Sequence, residues 1–246
     1  MEANKLKLND EKTETILINP KKYPLCNKNL TIGDENIVFN NAAKNLGIFI
    51  DEELSMHCQI SNLSKAIYLE IRKLKHISKF VNEDCLKTLA ASFILSRLDY
   101  CNALYKNLPK YQIQKLQKLQ NFAAKVVLNK SIYDHVTPCL MELHWLPVSF
   151  RIDYKIAVLC FKCINGLAPE YLSNLVEEYV PIRNLRSSSQ KKLKPKVTHF
   201  KRLGDRSFAF TAPQVWNSLP LFLRIESSLD VFKKNLKTHL FHIAFL

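Results

Sequence analysis

A chain of 246 residues with 47% hydrophobic and 24% charged residues is long enough to bury a real core and has ordinary globular composition. Its four glycines, Gly33, Gly47, Gly166 and Gly204, never fall in a G-x-G or GK[ST] setting, which argues against dinucleotide and Walker-type phosphate loops. Thirty-six Lys and Arg against 22 Asp and Glu leave a net charge of +14, and such an excess favours a polyanionic partner, because each phosphate neutralised releases condensed counterions.

The first fifty residues carry strand signals. "TETILIN" reads as a strand with Ile16 and Ile18 on one face, "LTIGDENIVFNN" as a hairpin around Gly33-Asp34, and "NLGIFIDEEL" as a further strand through Ile48 and Ile50. A sheet this small does not stand firmly alone. After Leu54 the period changes: Ile60, Leu63, Ile67, Ile71, Leu74 and Ile77 form a helical stripe, with Lys65, Arg72, Lys73 and Lys75 on the other sides. Asn82 can cap a second helix, with Glu83 and Asp84 offsetting the dipole of its first turn. That helix, "CLKTLAASFILSRLDYCNALY", is apolar nearly all round and is expected to be central. Pro109 opens a third, in which Ile113, Leu116, Gln120, Ala123 and Val127 share a face. Short links between the three predict an antiparallel bundle.

Further along, Thr137-Pro138 reads as an N-cap and first helical position, and "VSFRIDYKIAVLCFKCIN" as a helix ended by Gly166 at C′. "PEYLSNLVEEYV" is expected to be a short helix closed by Pro181. The stretch from Arg183 to Arg206 holds nine basic residues and one acid and reads as an exposed strap. "SFAFTAPQVWNSLP" carries packing aromatics, with Trp145, Trp216, Pro147 and Pro220 expected to fix turns. "SSLDVFKKNLKTHLFHIAFL" is a last amphipathic helix with a capping-box-like start at Ser227 and Asp230.

The chemistry-bearing candidates thin out on inspection. Seven scattered cysteines suit free thiols in a reducing, intracellular compartment, nuclear or cytoplasmic. Cys160 and Cys163 are the single C-x-x-C pair, but they sit inside the apolar run "IAVLCFKCI", where Cys behaves as a small hydrophobe. His57 and Cys58 are neighbours on a helix and point apart, so they form no dyad. Asp10, Asp34, Asp51 and Asp99 are isolated, and no Asp-Asp pair of the kind two-metal phosphoryl transfer needs is present. Arg97 and Asp99 in "SRLDY" do not face each other on a helix and read as interhelical ion pairs or caps. The basic helix faces (Lys115, Lys118, Lys125, Lys130) and the strap, with Phe200, Phe208 and Phe210 interleaved, could grip phosphates and stack on bases.

Eight stretches carry a family resemblance: "LKLNDEKTETILI", "KNLGIFIDEELSMHCQI", "SRLDYCNALYKNLP", "KLQNFAAKVV", "DHVTPCLMELHWLPVSFRIDYKI", "INGLAPEYL", "GDRSFAFTAPQVWNSLP" and "SLDVFKKNLKTHLF". In this order and spacing the chain resembles the C-terminal part of the reverse transcriptase of non-LTR, LINE-type, jockey-like retrotransposons of animals. The resemblance implies an α+β, mainly α fold: a palm remnant over residues 1–53, a helical thumb over 54–130 and a helical C-terminal extension over 131–246 that includes the strap 183–206. It implies a start just downstream of the catalytic Asp-Asp turn, so that the metal-binding aspartates lie outside this chain. Lys12 then matches a nucleotide-phosphate contact, and Leu46-Gly47 the primer-grip turn.

RNA and DNA as template–primer, and the upstream polymerase segment, are the implied partners. No membrane is expected, nor any cofactor in this chain, with magnesium needed only by the complete polymerase. The cations taken as nucleic-acid contacts are Lys65, Arg72, Lys115, Lys118, Lys125, Arg183, Arg186, Lys191, Lys192, Lys194, Lys201 and Arg202. The alternative is a non-enzymatic helical interaction module or an idle retroelement relic.

Overall fold

A computed structural model describes residues 14–18, 30–32, 35–37, 39–181, 191–198 and 203–246. Lys12, Arg183, Arg186, Phe200, Lys201 and Arg202 lie outside the described residues. The chain divides into two compact units, Met1–Asn62 and Leu63–Leu246.

In the first unit β1 (Leu30–Ile32) and β2 (Glu35–Ile37) pair antiparallel, in register Leu30↔Ile37, as the Gly33-Asp34 turn signal predicts. A second hairpin joins β3 (Ala42–Asn45) to β4 (Ile48–Asp51), with Asn45 opposite Ile48. Its tip is Leu46 (φ 48°) and Gly47 (φ 85°). Two successive positive φ values define the mirror-image turn that matches the right-handed twist of paired strands. Glycine enters that region freely, whereas leucine is uncommon there. The strand predicted over "TETILIN" is reduced, among its described residues, to one parallel bridge from Ile16 to Asn40, and Ile18 is exposed. The turn after β4 is held by Asp51, whose carboxylate accepts from Ser55 N and Ser55 Oγ at 2.5 and 3.0 Å.

Helix α1 (His57–Ile77) starts in the first unit and runs into the second. Ile67, Ile71 and Leu74 of its predicted stripe are buried. The next helix begins as expected: Asn82 Oδ1 accepts from Cys85 N at 2.9 Å and caps α2 (Glu83–Ala90). Beyond Ala90 the chain departs from the single helix predicted through Tyr105. A wide π turn spans Ala91–Leu95, α3 is only Ser96–Asp99, and the chain reverses at Cys101 (φ 51°) into a 3-10 turn, Asn102–Tyr105. The reversal drives Asn102 and Tyr105 into the interior and leaves Ala91, Ser92 and Phe93 exposed, so the helix is not buried all round. Glu70 meets Arg97, 27 residues away, across α1 and α3.

Helix α4 (Lys110–Val127) follows Pro109 and buries Leu116, Gln120, Ala123 and Val127. Gln120 tolerates full burial because its Nε2 donates to Leu146 O at 2.8 Å. One turn earlier Gln117 Oε1 accepts from Val148 N at 2.8 Å, and so caps α6 (Val148–Ile164) from outside. Between them α5 (Val136–Glu142) starts one residue before Thr137, with His135 and not Thr137 at the cap position. Helix α6 ends as predicted: Gly166 has φ +67°, and Leu167 N bonds back to Lys162 O at 2.8 Å in a Schellman arrangement.

The expected helix through Val180 is only α7 (Glu170–Ser173). Beyond it Glu178 bridges Leu193, and Tyr179 N donates to Lys192 O at 2.8 Å. A 3-10 turn (Gly204–Arg206) leads into α8 (Phe208–Ser218), then α9 (Leu221–Arg224) and α10 (Leu229–Phe245). The cap of α10 differs from the capping box expected of Ser227 and Asp230. Ser228 stands at the cap, and the carboxylate of Glu226 accepts from Ser227 N and Ser228 N. Helix α6 is central to this unit, with Phe161 stacked on Phe232 at 4.5 Å and Trp216 tilted against Phe232 at 5.9 Å.

Candidate nucleic-acid interface

Each of α1 and α4 carries four Lys or Arg side chains, and the two helices share a single acid, Glu70. Glu70 is already engaged: its carboxylate pairs with Arg97 and Lys73, both at 3.3 Å, and is 17% exposed. One contact between the helices is an aromatic pair, Tyr68 stacked on Phe122 at 6.5 Å with 29° between the rings. Tyr68 stays half-exposed.

Helical spacing places cations around that pair. Lys65 and Arg72 lie three residues before and four after Tyr68, and Lys118 and Lys125 lie four before and three after Phe122, so each flanks its ring by one turn. Lys115, a further turn along, extends the α4 row. Lys65, Arg72, Lys115 and Lys118 are exposed. Lys125 is partly engaged, its Nζ donating to Ile132 O at 2.6 Å. Helical spacing thus sets four of the predicted contacts a turn from the stacked pair and Lys115 a turn beyond it. Sequence reading missed the two aromatic residues, although the i±3 and i±4 spacing of basic residues around each was the signal.

The other predicted contacts separate from this group. Leu46 and Gly47 form the β3–β4 tip, with Leu46 85% exposed. Lys191 to Lys194 belong to the described part of the strap, whose backbone is fastened down while the Lys191 and Lys194 side chains stay exposed as expected. Leu193 is 1% exposed, and its N and O both bond the Asn217 side chain, at 2.9 and 2.8 Å. Trp216 Nε1 donates to Lys191 O at 2.8 Å. The Lys191 side chain points to solvent and that of Lys192 is half-buried, while Lys194 pairs with Glu177 at 3.2 Å. That hydrogen bond and the charges of Lys194 and Lys196 hold the Glu177 carboxyl below its ordinary pKa. Phe208 and Phe210 are half-buried on α8 rather than presented as free stacking faces.

No group of three His, Cys, Asp or Glu side chains able to hold a metal occurs among the described residues. Cys160 and Cys163 are buried, and burial raises the pKa of both thiols, that of Cys160 strongly. Arg97 and Asp99 serve separate ion pairs, to Glu70 and to Arg151. No described helix is long and apolar enough to cross a membrane. Searches of family models, curated proteins and solved structures find no match to this chain.

Proposed function

We propose that this chain is the template–primer-holding part of a non-LTR retrotransposon reverse transcriptase, a grip without the polymerase's metal-binding aspartates. The observation that carries the reading is the α1–α4 face: cations on both sides of a half-exposed stacked pair, with the one acid of the two helices drawn off to Arg97. Such a surface contacts phosphates without reading sequence. The eight-stretch resemblance supplies the polymerase context, in which residues 54–130 are the thumb and Leu46-Gly47 the turn beside the primer end.

The test is direct binding of a primer–template duplex by the purified protein, alongside an extension assay with magnesium and nucleotides. Binding without extension is the expected result. Magnesium-dependent extension by pure protein, or no binding at low salt, overturns the reading. A helical interaction module has one observation in its favour, a groove of about 370 Å³ lined by Leu74, Ile77, Leu89 and half-exposed Phe93. Failure of nucleic-acid binding with retained capture of a peptide in that groove would favour it.

A further inference from the structure

The second unit holds a cleft of about 260 Å³ to which the nucleic-acid reading assigns nothing. It is built by residues far apart in sequence: Asp99 and Asn102 beside the Cys101 reversal, Arg151, Tyr154 and Lys155 on α6, and Lys237 on α10. Its volume lies just below the ~300–1,000 Å³ of most ligand sites, so it suits only a compact ligand.

Three features give the cleft its chemistry. Arg151 is fixed in place: one guanidinium nitrogen bonds Asp99 Oδ2 at 2.6 Å and Nε bonds Leu146 O at 3.1 Å, with the side chain only 15% exposed. A guanidinium locked in this way is pre-organised for an oxyanion. Lys155 and Lys237 bring two further charges to the same hollow, both exposed and neither in an ion pair among the described residues. Asp99 offsets Arg151, so the two lysines leave the lining with an excess of positive charge that an added anion would balance. Tyr154 supplies a phenol whose pKa is raised by burial and then by Asp99, so it remains a proton donor.

We propose that this cleft binds a phosphomonoester, with the phosphate between Arg151, Lys155 and Lys237 and the Tyr154 hydroxyl donating to it. The ester is either a free sugar phosphate or the phosphorylated end of a nucleic-acid strand. The proposal is independent of the α1–α4 face, whose contacts are internal phosphodiesters.

The experiment is calorimetric titration of the full chain with ribose 5-phosphate. Saturable binding is expected, weakened about tenfold by Lys155→Ala, about tenfold by Lys237→Ala, and abolished in the double variant, with each tenfold step equal to ~1.4 kcal/mol. Both lysines are exposed, so melting temperature stays unchanged; the pair Lys75→Ala/Lys79→Ala, outside the cleft lining, leaves affinity unchanged. Competition by a 5′-phosphorylated oligonucleotide, with none by its unphosphorylated form, assigns the strand end as the source. Competition by neither assigns the free sugar phosphate. No binding at millimolar ribose 5-phosphate, or wild-type affinity in the double variant, overturns the proposal. Neither result touches duplex binding at the α1–α4 face, so the two readings fail separately.

Discussion

The α1–α4 face makes a quantitative demand on salt dependence. Lys65, Arg72, Lys115 and Lys118 are exposed and clustered by spacing around the Tyr68–Phe122 pair, whereas Lys125 is already committed to Ile132 O. With four phosphates neutralised, log affinity for duplex is expected to fall with log salt at a slope of about −3.6, a loss of about 150-fold between 50 and 200 mM. Lys115→Ala/Lys118→Ala removes two of the four, so the slope flattens to about −1.8 and the same salt step costs only about 12-fold. Fluorescence anisotropy of a labelled primer–template across a potassium chloride series measures both slopes. Lys87→Ala is the control, because Lys87 is occupied with Glu83 at 2.7 Å on another helix. A wild-type slope flatter than about −1, or a variant slope equal to wild type, would refute the assignment of these lysines.

Two further outcomes concern the scaffold. Trp216 is 1% exposed, donates to Lys191 O and packs on Phe232, so Trp216→Ala should destabilise by about 3–5 kcal/mol. Trp216→Phe keeps most of the packing and loses the bond, about 1 kcal/mol, and denaturant midpoints that rank the two otherwise would place the residue outside the core. Glu226 accepts from Ser228 N and Ser227 N, which lowers its pKa below the ordinary 4.5. Because the folded value is the lower one, its contribution is present above pH 4.5 and lost as pH falls through that folded value. Glu226→Gln should therefore flatten the acid limb of the stability curve, and a limb identical to wild type would show that the cap has no energetic role.

Much of the helical layout was legible because its signals are local. The period-3.6 stripe of α1, the Asn82 cap and the Gly166 C′ residue all act within a turn or two, and the structure follows them. The misreadings share the opposite cause. "FILSRLDYCNALY" has helical composition throughout, but the chain reverses at Cys101 where Asp99 is bonded to Arg151, 52 residues on. Thr137 and Ser227 look like caps, yet α5 starts ahead of Thr137 and a neighbouring carboxylate serves α10.

The basic stretch shows most plainly why composition misleads. A run of Lys, Pro and Ser predicts solvent exposure, and the side chains of Lys191 and Lys194 obey it. The backbone does not, because Leu193 is the one aliphatic residue among 191–196 and its burial decides the path. Once Leu193 enters the core, its N–H and C=O must be satisfied there, and Asn217 and Trp216 of α8 meet the demand. Lysines on either side are thereby held at fixed positions rather than on a free tether. Charge patterning marks the exposed Lys191 and Lys194, but no charge count shows that one apolar residue and two α8 side chains fasten the backbone between them. The α1–α4 face escapes that fate because its cations project from regular helices, where spacing alone fixes what is adjacent. The proposed phosphate contacts are therefore tested first on α1 and α4, while the backbone around Leu193 is tied to α8 through Asn217 and Trp216.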